Sequence, residues 1–190
     1  MLQKVNEEKI MKEKYISLLK STKRDGIDDL INWLETTDFF TAPASTKYHL
    51  SNESGLLEHS LNVYDEIVRN FDGYDMYTLI IVSLLHDVCK ANYYTVSERN
   101  VKRNGEWVKE PYYTVDEEFP LGHGEKSVIL IQKYIDLTDE EIAAIRWHMG
   151  GFEPKENYSA IGNAFYKYPL ALLLHIADLR TTYLVEKESK

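Results

Sequence analysis

The apolar positions of this chain fall mostly at helical spacing. Residues 1 to about 37 carry two amphipathic patterns, Ile10/Tyr15/Leu18/Leu19 and Ile27/Leu30/Ile31/Leu34, and predict two packing helices separated by the polar stretch Ser21-Thr22-Lys23-Arg24-Asp25-Gly26. Residues 39–53 contain Ser, Thr and Pro and show no periodicity. A helix is predicted from Ser54, an N-cap residue type, with Leu56, Leu57, Leu61, Val63, Ile67 and Val68 on roughly one side. After a turn at Asp72-Gly73, a further helix is predicted over residues 77–90. Its apolar run Leu79-Ile80-Ile81-Val82-Ser83-Leu84-Leu85 is closed by His86-Asp87.

The texture then changes. Residues 93–116 hold β-branched and aromatic side chains around Asn104-Gly105, the two-residue signature of a type I′ turn, and predict a β-hairpin. With that turn at the tip, Arg103 opposes Glu106, Val101 opposes Val108, Arg99 opposes Glu110, Val96 opposes Tyr113 and Tyr94 opposes Val115. Pro111 cannot donate to a ladder and marks a bulge or an edge. Helical spacing returns after Gly122, through His123, Val128, Leu130, Ile131 and Tyr134. Thr138 with Glu141 forms a capping-box signature for the next helix, which ends at His148 before Gly150-Gly151. Residues 152–168 are irregular, and Pro169 starts a last, strongly apolar helix running to Asp178.

At 190 residues the chain has the size of a single domain, since domains commonly run about 100 to 150 residues. Its 31 acidic against 22 basic residues give a net charge of −9, which repels phosphate backbones and disfavours long nucleic acid as a partner. The single cysteine, Cys89, excludes an intrachain disulfide. The N-terminus is too charged for a signal peptide and no apolar run approaches the roughly 20 residues of a membrane helix. The expectation is a cytoplasmic protein with no membrane partner.

Two adjacent metal-ligand types seldom end a core helix without a task, so His86-Asp87 is read as part of a metal site. His59, His123, His148 and Asp178 each lie in or beside their own apolar helical stretch and supply further candidates. Four imidazoles and two carboxylates suit divalent first-row metals and exceed what one ion usually takes from protein. A two-metal centre follows, with Asp87 as the natural shared ligand because its two oxygens can face two ions. Such a pair acidifies a bridging water and clamps the attacking and leaving oxygens of a phosphoryl displacement.

In these residues the chain resembles the HD-domain superfamily, metal-dependent phosphohydrolases named for a His…His-Asp…Asp ligand set on an all-helical scaffold. The match is His59 in Gly55-Leu56-Leu57-Glu58-His59-Ser60, then His86-Asp87, then Asp178 in His175-Ile176-Ala177-Asp178. His123 in Gly122-His123-Gly124 and His148 in Arg146-Trp147-His148 occupy the places of the extra histidines of binuclear members. The resemblance covers roughly residues 45–185. It implies an all-α, HD-type helical bundle with a β-hairpin insertion at about residues 93–116. The whole chain, 1–190, would be one domain, residues 1–44 forming a helical extension packed on a metal-binding core at 45–185.

The resemblance also implies that His59, His86, Asp87 and Asp178 hold a first metal and Asp87, His123 and His148 a second. Fe, Mn, Co, Ni, Zn and Mg all remain candidates. Lys90, in His86-Asp87-Val88-Cys89-Lys90, matches a lysine that many members keep three residues after the aspartate, where its ammonium neutralises phosphate. The glycine usual before that lysine is Cys89 here. The implied activity is hydrolysis of a small phosphate ester or anhydride, foremost a nucleotide, with Asp87 and Lys90 as catalytic residues. The same ligand order occurs in diiron oxygenases that cleave a C–C or C–P bond, and this stands as the alternative.

Other residues have both bland and functional readings. His175 suits core packing or support of a ligand better than ligation. His49 could line the pocket or belong to an ordinary loop, and Glu58 is read as an exposed helix glutamate. Arg180 could meet phosphate or form a surface ion pair. Cys89 lacks a base motif and reads as a small buried residue. The hairpin directly follows the metal helix and is expected to stand at the pocket mouth and help select substrate.

Overall fold

A computed structural model describes residues 2–117 and 119–187. The helical patterns become eight α-helices, and the β-branched stretch becomes a two-stranded antiparallel hairpin, so the described fold is mainly α. The order is α1 (Leu2–Ser21), α2 (Ile27–Glu35), α3 (Gly55–Asn70), α4 (Met76–Leu85), β1 (Tyr94–Arg103), β2 (Glu106–Val115), α5 (His123–Ile131), α6 (Asp139–Trp147), α7 (Tyr158–Lys167) and α8 (Pro169–Arg180).

A helix that is apolar all round must be buried on every side. That is the position of α4: Leu79, Ile80, Ile81, Val82, Leu84 and Leu85 are all buried, with α1, α3 and α6 packed around it. Tyr15 of α1 reaches this centre and donates its hydroxyl to Leu84 O at 2.8 Å. Burial pushes its phenol well above the usual tyrosine range. Helices α3 and α6 both pack on α8, and α5 packs on α6. Thr138 and Glu141 form the capping box expected of α6, and Pro169 opens α8.

The hairpin keeps the expected register pair for pair, from Tyr94 opposite Val115 to Arg103 opposite Glu106. Asn104 and Gly105 take the positive φ values, 49° and 92°, that a type I′ turn demands. Pro111 sits in step opposite Glu98 without a bulge. Both strands of a two-stranded ribbon are edges, so a missing N–H need not interrupt the ladder.

Three expectations are corrected. The helix placed over residues 77–90 ends at Leu85; Asp87 leaves helical geometry at φ −105°, ψ 18°, and residues 88–90 form a separate 3₁₀ turn. At this break His86 Nδ1 donates to Ser83 O at 2.8 Å, a side-chain bond to the backbone of the last helical turn. Ser54 precedes α3 in the left-handed region at φ 63° and makes no capping bond. Residues 152–168 contain a helix, α7, which has only Ile161 fully buried and so lacked a broad apolar stripe.

Among the described residues no helix is long and apolar enough to cross a membrane.

Candidate metal centre

Six side chains singled out in the sequence meet inside the bundle, carried by α3 (His59), the end of α4 (His86, Asp87), the start of α5 (His123), the end of α6 (His148) and α8 (Asp178). Aromatic rings trace the cluster. Ring centroids run His49 to His59 at 5.0 Å, His59 to His86 at 5.4 Å, His86 to His148 at 4.9 Å and His148 to His123 at 5.4 Å. His59, His86, Asp87 and His148 are almost fully buried, whereas the side chains of Asp178 and His123 keep 19% and 27% exposure and form the open side.

Asp87 stands in the middle, and its two oxygens face different partners. Oδ2 lies 3.5 Å from His86 Nε2 and 3.9 Å from His59 Nε2, while Oδ1 lies 2.6 Å from His123 Nε2 and 3.5 Å from His148 Nε2. His59 Nε2 is also 3.2 Å from Asp178 Oδ1. Burial alone would raise the Asp87 carboxyl, but the Lys90 ammonium first, then the neighbouring His86 and His123 rings, hold it well below the usual range. Desolvation also works against charging Asp178, yet its carboxyl is held low by His59 first and by His86 and His148 after it.

Two helix ends orient their histidines in the same way. His86 Nδ1 donates to Ser83 O, and His148 Nδ1 donates to Ile145 O at 2.7 Å. A carbonyl only accepts, so each Nδ1 carries a proton, which leaves Nε2 as the ring's available donor atom toward Asp87. Both Nε2 atoms are buried, face Asp87 and have no hydrogen-bond partner. Burial pushes the His86 pKa down to about 4, keeping its Nε2 lone pair free. Buried nitrogens without partners are costly unless a ligand answers them, and a divalent cation fits this donor set.

Close approach brings α5 to α6. A Cβ on Gly124 would lie 2.2 Å from Arg146 O, so only glycine lets the start of α5 lie against the end of α6 and set His123 beside His148. His175, expected either to pack in the core or to support a ligand, donates from Nδ1 to His148 O at 2.6 Å.

The residues around the centre divide. Lys90 Nζ lies 2.6 Å from Asp87 Oδ2 and donates to Ala44 O at 2.8 Å; burial lowers its pKa, but Asp87 more than restores it and holds the ammonium charged. Cys89 is buried as expected, with Sγ 3.4 Å from His123 Nδ1. Arg180 turns away to pair with buried Glu66. Glu58 is half-buried, its carboxyl raised by burial and by Glu186.

Glu186 is the residue that sequence reasoning missed. It follows a π-helical turn at Thr181–Val185, is buried, accepts from His59 Nδ1 at 3.0 Å and is steadied by Asn62 Nδ2 at 2.9 Å. His49 lies 3.9 Å from the same carboxylate. Burial disfavours charging His59, but its hydrogen bonds to Asp178 and Glu186 outweigh that and push its pKa up to about 10. In sequence Glu186 stands between Tyr183-Leu184-Val185 and a run of polar residues, and no motif or periodicity singles it out.

Several groups of three donors each could therefore hold a metal ion: His59, His86 and Asp178; His86, Asp87 and His148; Asp87, Cys89 and His123; and His49, His59 and Glu186. No family model, curated protein or solved structure matches this chain.

Proposed function

We propose that this chain is a metal-dependent phosphohydrolase of HD type acting on a small phosphorylated compound, with a nucleotide as the foremost candidate. The observation that carries the reading is the split of Asp87, one oxygen toward His59 and His86 and the other toward His123 and His148. In this reading His59, His86, Asp87 and Asp178 hold one divalent ion, and Asp87, His123 and His148 hold a second. Divalent ions bound there supply Lewis acidity, acidifying water and offsetting charge on a phosphoryl group.

The protein's own contribution is arrangement. Backbone carbonyls fix the tautomers of His86 and His148, and Glu186 fixes that of His59. Lys90, anchored by Ala44 O and Asp87, places an ammonium where a phosphate oxygen gathers charge. The exposed sides of Asp178 and His123 give substrate its approach. A groove of about 370 Å³ is lined by Pro43, Tyr94, Val96 and Tyr113, and Tyr94 shares the Ala44 carbonyl with Lys90, which supports a part for the hairpin in choosing substrate. A net charge of −9 favours a small solute over a polyanion.

The test is Asp87→Ala, assayed on a panel of nucleotides and phosphoesters with Mn, Co or Mg. Loss of phosphate release is expected; activity indifferent to this substitution sinks the proposal.

A further inference from the structure

The hydrolytic reading makes no use of Cys89, yet its placement is specific. Cys89 is 3% exposed, and its Sγ lies 3.4 Å and 3.6 Å from the two ring nitrogens of His123. Its sulfur, a carboxylate oxygen of Asp87 and a ring nitrogen of His123 all fall within 4.8 Å of one another. The backbone is pinned as well: Cys89 N donates to Ser127 Oγ at 3.2 Å, tying the turn after Asp87 to the helix that carries His123. A second, independent feature points into the same space. His148 Nε2 is buried and unpartnered, and it aims at Asp87 Oδ1, the oxygen that His123 also contacts.

The Cys89 sulfur and a His123 nitrogen thus gather on the far side of Asp87, and His148 Nε2 faces the same Asp87 oxygen. We propose that Cys89 is a thiolate ligand of the ion on the His123–His148 side, which makes that half of the centre selective for zinc, cobalt or cadmium over magnesium or manganese. The inference rests on the metal-centre reading above. Soft thiolate donors favour borderline and soft cations, whereas carboxylate and water suit magnesium and manganese. On coordination the thiol gives its proton to solvent, and the sulfur lone pair enters the metal's shell. The other half, His59, His86 and Asp178, offers only nitrogen and oxygen, so the two ions would differ in chemistry and in ease of removal.

The experiment is cobalt substitution of the chelator-stripped, full-length chain, followed by absorption. Cys89 is the only cysteine, so any sulfur-to-cobalt charge-transfer band in the near ultraviolet has one source. The expected result is that band together with visible ligand-field bands, and its complete loss in Cys89→Ser while the ligand-field bands persist. Ligand-field bands without a charge-transfer band, or a band that survives in Cys89→Ser, overturn the thiolate ligand and leave the metal centre standing. Absence of both kinds of band overturns the metal centre itself. Zinc-edge X-ray absorption on the unsubstituted chain decides the matter independently of the variant's folding: sulfur at about 2.3 Å supports the assignment, and a shell of nitrogen and oxygen alone at about 2.0–2.1 Å refutes it.

Discussion

Glu186 accepts a hydrogen bond from His59 across 127 positions of sequence, 3.0 Å from Nδ1. A carboxylate behind an imidazole fixes the ring and strengthens its other nitrogen as a donor, and losing such a partner typically weakens metal binding about 10- to 100-fold. Glu186→Gln keeps the volume and removes the charge. Titration calorimetry with zinc or manganese on the stripped protein should show a loss of that order, with the helical circular dichroism unchanged. Equal affinity in the two proteins would mean that Glu186 does not govern His59.

Lys90 tests the chemistry apart from the metal. Its ammonium contacts Asp87 Oδ2 and Ala44 O but is not among the donors that could hold an ion. Lys90→Met should leave the metal content intact and lower turnover by roughly 10²- to 10³-fold, the usual effect of removing one preorganised charge partner. Loss of bound metal in this variant would assign Lys90 to assembly of the centre instead.

Gly124 sets the spacing between α5 and α6. An added methyl would meet main chain, Arg146 O, which cannot swing aside as a side-chain tip can. Overpacking of this kind costs about 1–3 kcal/mol. Gly124→Ala should lower the urea midpoint accordingly and separate His123 from Asp87, reducing metal stoichiometry; a stable variant with full metal content would show that the two helices have room to part.

Stability of the metal-stripped protein should depend on pH in both directions. The His59 pKa stands at about 10, above the ordinary 6.5, so its contribution is complete below 6.5 and drains away as pH rises through 10. His123 follows the same course: burial opposes its charging, but Cys89 and Asp87 push it up to about 10. The His86 pKa stands at about 4, so its contribution is complete above 6.5 and is lost as pH falls through 4. Calorimetric melting in chelator should therefore peak near pH 6.5. A melting temperature that climbs steadily from pH 6.5 to 10 contradicts the His59 and His123 assignments.

The elements that sequence made legible are those whose pattern is local. Asn104-Gly105 sets the hairpin register, Thr138 and Glu141 set the start of α6, and the order of His59, His86-Asp87, His123, His148 and Asp178 marks a candidate centre. Hidden features depended on distance or on thin burial. Helix α7 rests mainly on Ile161, with Ala164 and Phe165 half-buried behind it, too narrow a stripe to stand out. Glu186 and His49 matter only because the chain folds back on itself beside His59. The early end of α4 coincides with a side-chain bond from His86 to Ser83 O, which hydrophobic period does not register.

The two rings held by Ser83 O and Ile145 O also shape how such a centre can drift over generations. A main-chain carbonyl has no identity to mutate, so neighbouring substitutions leave the aim of His86 and His148 untouched unless a whole helix terminus moves. His59 and His123 are different, because the rings contact changeable side chains, Glu186 for His59 and Asp87 and Cys89 for His123. A substitution at either supporting side chain would therefore re-aim an outer ring while the inner pair, held by main chain, kept its direction.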